Sequence, residues 1–321
     1  MTTPGILAYA VRTHGWSFLP NQVLPPLLAN VTIGAVLYTS YLQSLGLFYE
    51  PASHASKRIY PPPPLSSTFA AGFAAGTLQS IIAAPLDALT IRFRTKDLTE
   101  GRYKNMWHYA YHKVQAIGAR GVFAGWGLSF VKDSLGYGAF FASFEYIKSQ
   151  CFYEFVSKWY SHYGILSLLQ QQRIDTQKAE QNHETPIIKP YYLMEPAFIL
   201  LAGVSASVLQ QAVSHPLTQI QDLHFQRLAT LDEQMQSKPS RFNTMQLYAR
   251  AYEKTWKQCS IRARRDGGWI RWLYQGFWMS TLRQVPSTSA GLIVFEVFRR
   301  KYGIGEDVVR IRKGDYDILL P

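Results

Sequence analysis

What most constrains this chain is where its charges are missing. Residues 15–49, 61–86 and 196–221 contain no Asp, Glu, Lys or Arg, and His215 is the lone titratable imidazole among them. Two further runs are nearly as clean: 121–144 carries only Lys132 and Asp133, and 272–295 carries only Arg283. A helix needs about 20 mostly apolar residues to cross the hydrocarbon core of a bilayer. Five segments therefore read as spans: 22–47, 65–92, 123–148, 191–221 and 276–299. The mean hydropathy of −0.09 conceals this, because a net charge of +12 is gathered into the intervening stretches. A soluble all-α protein with long buried helices is the competing reading, and charge-free runs of this length argue against it.

Two spans share a register. Phe123-Ala124-Gly125 opens a stretch that closes on Phe144-Glu145-x-x-Lys148, and Tyr274-Gln275-Gly276 opens one that closes on Phe295-Glu296-x-x-Arg299. In both, 19 positions separate the glycine from the closing phenylalanine, and charge falls seven positions after the glycine, at Lys132 (then Asp133) and at Arg283. Three matched features in one register are an internal repeat. The segments before these spans also match. Gly72 and Gly76 in one, and Gly203 and Ser207 in the other, give small-xxx-small faces that let a neighbouring backbone come close. Pro85 and Pro216 each remove a hydrogen bond inside a helix and are expected to bend it.

Between the spans, Pro61 to Pro64 read as a stiff extended connector. Residues 103–116 read as a short amphipathic helix with Trp107, Tyr111 and Val114 on one side. His108 and His112 lie i, i+4 within it, and with no third ligand evident a solvated face is the better reading than a metal site. Residues 150–190 read as a polar loop with partial helix, and LDEQMQSKPSR (231–241) as a flexible insertion. Loops 92–120 (seven Lys/Arg against two acids) and 222–271 (ten against five) are basic, whereas 149–190 has four of each. The basic loops should therefore share one membrane face. A basic loop could bind nucleic acid, but no recognition motif accompanies these and no nucleic-acid partner is expected. Cys151 and Cys259 lack CxxC or zinc spacing and read as packing residues on opposite faces. The first residues lack a cleavable secretory signal.

Taken together, these repeats resemble the mitochondrial carrier family. The resemblance rests on Asp266-Gly267 with Tyr274-Gln275-Gly276, on Phe144-Glu145-x-x-Lys148 and Phe295-Glu296-x-x-Arg299, and in part on Pro85-Leu86-Asp87 with Arg92. It implies an all-α membrane protein, a helical bundle of tandem two-helix repeats in the mitochondrial inner membrane, with the basic loops in the matrix. Residues 1–50 then form a partial first repeat, 65–150 the second, 191–304 the third, and 305–321 a polar tail. Departures accompany the matches. Thr90 stands where the family has a basic residue, Thr218 replaces an acid, Gln221 and Leu223 replace bases, and Tyr41 and Leu45 stand at the acid and base positions of the first repeat. Only about 21 residues precede the first span. Five spans are therefore expected where the family has six, with the flank of the absent first helix covered by a protein partner, a second copy, or inward movement of the fifth span.

The resemblance makes Lys132, Asp133 and Arg283 substrate contacts. Ionisable groups at mid-membrane face water or one another, and an Arg–carboxylate fork with an Asp–amine pair would suit a small zwitterion or carboxylate. Ala29 and Asn30 add no charge at that level. A self-neutralising structural cluster is the alternative. Glu145, Lys148, Glu296 and Arg299 would form a gate network on one side, and Asp87 with Arg92 its remnant on the other. Two functions fit: alternating-access transport of a small solute, or a carrier-derived structural or assembly protein that has lost transport. No nucleophile–base pair or metal-ligand set points to an enzyme, and neither cofactor nor metal is expected.

Overall fold

In a computed structural model, residues 24–54, 59–92, 123–159, 187–188, 194–237, 244–303, 309–313 and 316–320 are described, with single positions near 12–15 and 108–121. The chain runs α1 (Leu24–Phe48), α2 (Glu50–His54), α3 (Leu65–Arg92), α4 (Trp126–Glu145), a π-helical turn (Tyr146–Cys151), β1 (Ile187–Ile188) and α5 (Met194–Ser237). It continues through α6 (Thr244–Arg265), α7 (Trp269–Leu273), α8 (Phe277–Tyr302), β2 (Val309–Lys313) and β3 (Tyr316–Leu320). The π turn passes directly into further helix to residue 159.

The five expected spans are all helices, and all but the fourth end within a few residues of their expected bounds. Leu27–Phe48, Leu65–Asp87 and Met194–Leu231 are long and apolar enough to cross a membrane by composition alone. Helices α4, of 20 residues, and α8, of 26, have the length but carry the charged groups. At 1.5 Å rise per residue, 20 residues make about 30 Å, the thickness of the hydrocarbon core. Pro85 lies inside α3, Pro216 inside α5 and Pro286 inside α8. The sequence 231–237, expected to loop out, instead continues α5 to Ser237, giving 44 residues of helix. Its Leu, Glu, Gln and Met are good helix formers, and no Gly or Pro interrupts them. Residues 103–107, 160–186, 238–243 and 304–308, and with them most of the amphipathic-helix and polar-loop readings and the last four residues of the insertion reading, lie outside the described residues. So does most of the segment ahead of α1.

The tail adds a small sheet beside the helices. β2 and β3 pair antiparallel from Val309↔Leu320 to Lys313↔Tyr316, and β1 joins β3 in parallel, in the order β1-β3-β2. The sequence VRIRKGDYDILL alternates and has Gly-Asp between its halves, a hairpin signature that outweighs its polarity.

The chain divides into two compact units. Unit 1 holds residues 1–40, 75–135 and 213–275; unit 2 holds 41–74, 136–212 and 276–321. In each, α3 and α4 come together at a glycine. In unit 1 a Cβ on Gly76 would lie 2.5 Å from the Asp133 carbonyl oxygen, and in unit 2 one on Gly72 would lie 2.5 Å from that of Tyr137. This is the close backbone approach expected of the small-residue face. The glycines of the two aromatic-x-Gly triplets turn out to serve different needs. Gly276 takes a left-handed φ of 76° at the start of α8, which favours glycine sterically. Gly125 is packed under the ring of Phe225, where a Cβ would collide.

In unit 1, α6 packs against the end of α5 through Leu223, Cys259, Ala263 and Trp272, and through Leu228, Tyr248 and Ala251. The core of unit 2 includes Tyr41 stacked on Phe141 at 3.7 Å between centroids, and Phe152 and Val156 packed on Phe198. Tyr41 and Leu45, which stand where the first repeat should carry acid and base, are both buried. At these positions the first repeat packs in the core, with Tyr41 also beside Glu145 and Arg299.

Candidate functional site

In unit 1 the charges on α3 and α4 form a cluster. Lys132 Nζ is 3.5 Å from Asp133 Oδ1, with side chains 21% and 13% exposed. Asp87 and Asp222 also lie within electrostatic reach of that ammonium. Among the described residues this ammonium is shared by the three carboxylates, and His215 also lies within electrostatic reach of Asp222. Beside it runs a hydrogen-bonded chain: Gln221 Nε2 donates to Ser129 Oγ at 2.6 Å, and Ser129 Oγ donates to Asp87 Oδ2 at 3.3 Å. This joins α5, α4 and α3. Trp126 Nε1 donates to Ser80 Oγ at 3.2 Å, and Thr77 and Ser134 share a hydrogen bond of 2.9 Å. The side chain of Arg92, the expected companion of Asp87, lies outside the described residues.

Unit 2 contains the other ionic group, and it is closed. Arg299 Nη1 is 2.8 Å from Glu145 Oε1, and Lys148 Nζ is 2.9 Å from Glu296 Oε2. The contacts within each helical segment are longer, 3.8 Å for both Lys148–Glu145 and Arg299–Glu296. The short bonds therefore cross between segments, and the network ties the end of α4 to α8. Arg300 extends it to Glu195 in the first turn of α5 and reaches Glu296 at 3.4 Å. Arg299 and Glu145 are 1% and 2% exposed. Burial at this level requires that both charges be matched, and here each has two opposite partners. Tyr41 lies close enough to Glu145, Glu296 and Arg299 to feel all three.

A polar ladder joins α5 and α8 within the same unit. Ser207 and Thr288 share a hydrogen bond, and Gln211 Nε2 donates to Ser280 Oγ at 3.2 Å and to Gln284 Oε1. Gln284 Nε2 reaches Gln210 Oε1 at 3.3 Å. Arg283, next along α8, is exposed and forms no ion pair among the described residues.

Lys132 with Asp133, and the foursome Glu145, Lys148, Glu296 and Arg299, are each brought together as their spacing suggests. The bonding of Ser129, Gln211 and Gln284, and that of Gln221 at its former base position, is not among the sequence expectations. The signal available for them was their position: polar amides and hydroxyls inside otherwise apolar helices need partners. His108 and His112 have their Nε2 atoms 3.1 Å apart on an exposed face, and among the described residues no third ligand type joins them.

The sequence pattern of the family described as "Mitochondrial carrier protein" matches residues 61–155, the whole of α3, α4 and the π turn. Over those residues the chain resembles the mitochondrial carrier family. One curated relative, the mitochondrial thiamine pyrophosphate carrier 1 of Pyricularia oryzae, is 23% identical over 295 residues. The match covers 92% of this chain and 74% of that one. No solved structure matches closely. Mitochondrial carriers are multi-pass membrane proteins that move solutes rather than catalyse reactions, and the buried ion network of α4 and α8 sits on the same [FY]-[DE]-x-x-[KR] pattern that suggested the family.

Proposed function

We propose that this carrier-family chain moves a small charged metabolite across the mitochondrial inner membrane by alternating access, with Lys132 and Asp133 as solute contacts. One observation carries the reading: a lysine among three carboxylates on helices that are otherwise apolar, with part of each side chain still accessible. An isolated structural pair would be expected to close off completely. The excess of carboxylates among the described residues favours a cationic group on the solute, an amine or a charged nitrogen heterocycle. Arg283 is assigned the anionic end on its spacing from Gly276. The thiamine pyrophosphate named for the relative bears both kinds of charge and belongs in the test panel, beside amino acids and carboxylates. The network of Glu145, Lys148, Glu296 and Arg299 supplies contacts that one state makes and the other breaks, as a two-state gate needs.

A second reading has its own support. The Gln221–Ser129–Asp87 chain is held by neutral donors, where alternating access needs contacts that differ strongly between states. A carrier-derived assembly protein without transport fits that feature, and would bind lipid and a protein partner instead. Reconstitution into liposomes separates the two. Saturable uptake of a panel member that is lost in Asp133→Asn and Arg283→Ala, at unchanged protein abundance, supports the carrier. Uptake that both variants leave intact places recognition elsewhere. No uptake from folded protein favours the assembly role.

A further inference from the structure

The groove between the end of α5 and α6 in unit 1 holds a feature the transport reading does not use. Leu223, Gln226, Arg227, Thr230 and Leu231 recur at helical spacing along one face of α5, while Leu247, Arg250, Ala251, Lys254 and Gln258 do so on α6. Between them lies a cavity of about 450 Å³. Three cations line it, Arg227, Arg250 and Lys254, and among the described residues no carboxylate does. The described carboxylate nearest in sequence to these lysine and arginine positions of α6, Glu253, is engaged by Lys257, at 2.7 Å.

Like charges gathered on facing helices repel, and Glu253, outside the groove lining, offsets only part of that for Arg250 and Lys254. Arg227 is also held in place. Its Nη2 donates to Gln258 Oε1 at 2.9 Å, which fixes the plane of the guanidinium. Its Nε is buried and has no hydrogen-bond acceptor. A buried donor without a partner is costly and calls for an occupant with an acceptor. A planar fork flanked by two exposed cations is an arrangement that suits phosphate oxygens. Outside the groove lining, the rings of Trp256 and Trp269 lie tilted with centroids 5.3 Å apart, and Trp256 and Ile261 are exposed on α6.

We propose that this groove is a phosphate-binding site, taking a phosphate or pyrophosphate group between Arg227, Arg250 and Lys254. The group can belong to a free phosphorylated molecule or to an anionic lipid headgroup. The test uses the full chain in nanodiscs, with the unfolding midpoint as the readout. Inorganic pyrophosphate is titrated in phosphatidylcholine discs, and phosphatidylglycerol is introduced separately without pyrophosphate. A rise with pyrophosphate identifies a free-phosphate site, and a rise with phosphatidylglycerol alone identifies a headgroup site. Arg250→Gln with Lys254→Gln changes only exposed positions, so the helices should keep their circular dichroism. This variant should weaken whichever response is seen by about tenfold or more. Lys257→Gln, on the same helix outside the groove, should leave it unchanged. The proposal is overturned if neither anion raises the midpoint, if the double variant responds as the unaltered chain does, or if Lys257→Gln weakens the response equally.

Discussion

Replacing Arg299 by Met removes the guanidinium that lies 2.8 Å from Glu145 and leaves that carboxylate almost fully buried. Losing one partner of a buried pair costs about 3–5 kcal/mol, most of it the stranded charge rather than the lost attraction. Here the lower end applies, near 3 kcal/mol, because Lys148 Nζ remains 3.8 Å from Glu145. Lys148→Met should cost less. Its ammonium is the more exposed member, and Glu296 keeps Arg300 at 3.4 Å and Arg299 at 3.8 Å. Pairing Arg299→Met with Glu145→Met removes both charges, and replacing a buried pair by apolar groups is often neutral. The double variant should therefore recover to within about 1–2 kcal/mol of the parent, so the two changes are strongly non-additive. Thermal unfolding in mild detergent reads this as a midpoint lowered by on the order of 5–10 °C in the single variant and largely restored in the double. Additive losses would refute the argument, showing that the two groups are solvated independently rather than matched to each other.

Two further outcomes follow from the packing. Gly76→Val puts a branched side chain against the Asp133 carbonyl of α4, a backbone atom that cannot swing aside, and overpacking of this kind costs about 1–3 kcal/mol or more. Monodisperse protein after extraction should fall sharply, while Gly34→Val, with nothing within 4 Å of its Cβ, should leave the yield unchanged; equal yields would remove the close-packing argument. Cys259 is fully buried and burial pushes its thiol pKa up, so less thiolate is present at any given pH. It should react with maleimide far more slowly than half-buried Cys151 until the protein is denatured, and equal native rates would contradict the packing of α6 on α5.

The helices could be read in the sequence because membrane crossing imposes a long, one-sided rule on composition, and charge-free runs are rare by chance. The ion network could be read because its two i, i+3 acid–base pairs recur in the repeat. Ser129 and Gln221 could not, since they lie 92 positions apart and a lone serine or glutamine has many ordinary explanations. The continuation of α5 through LDEQMQS was obscured by its polarity. The polarity marks solvent, and the residues are helix formers all the same. The hairpin at 309–320 was hidden for the same reason, and its alternation was the better guide.

The π turn at Tyr146–Cys151 acts as a phase adjustment in an otherwise regular rod. An i→i+5 turn accommodates one residue more than α-helical winding would, and a residue is about 100° of rotation. Everything downstream inherits that offset, including Phe152 and Val156, which meet Phe198 only in the present phase. Upstream, the same turn carries Lys148 from the end of α4 toward Glu296. A single-residue deletion between 146 and 151 would therefore be more disruptive than most substitutions there. It would straighten the winding and turn an aromatic face away from its partner, without altering any side chain that touches it.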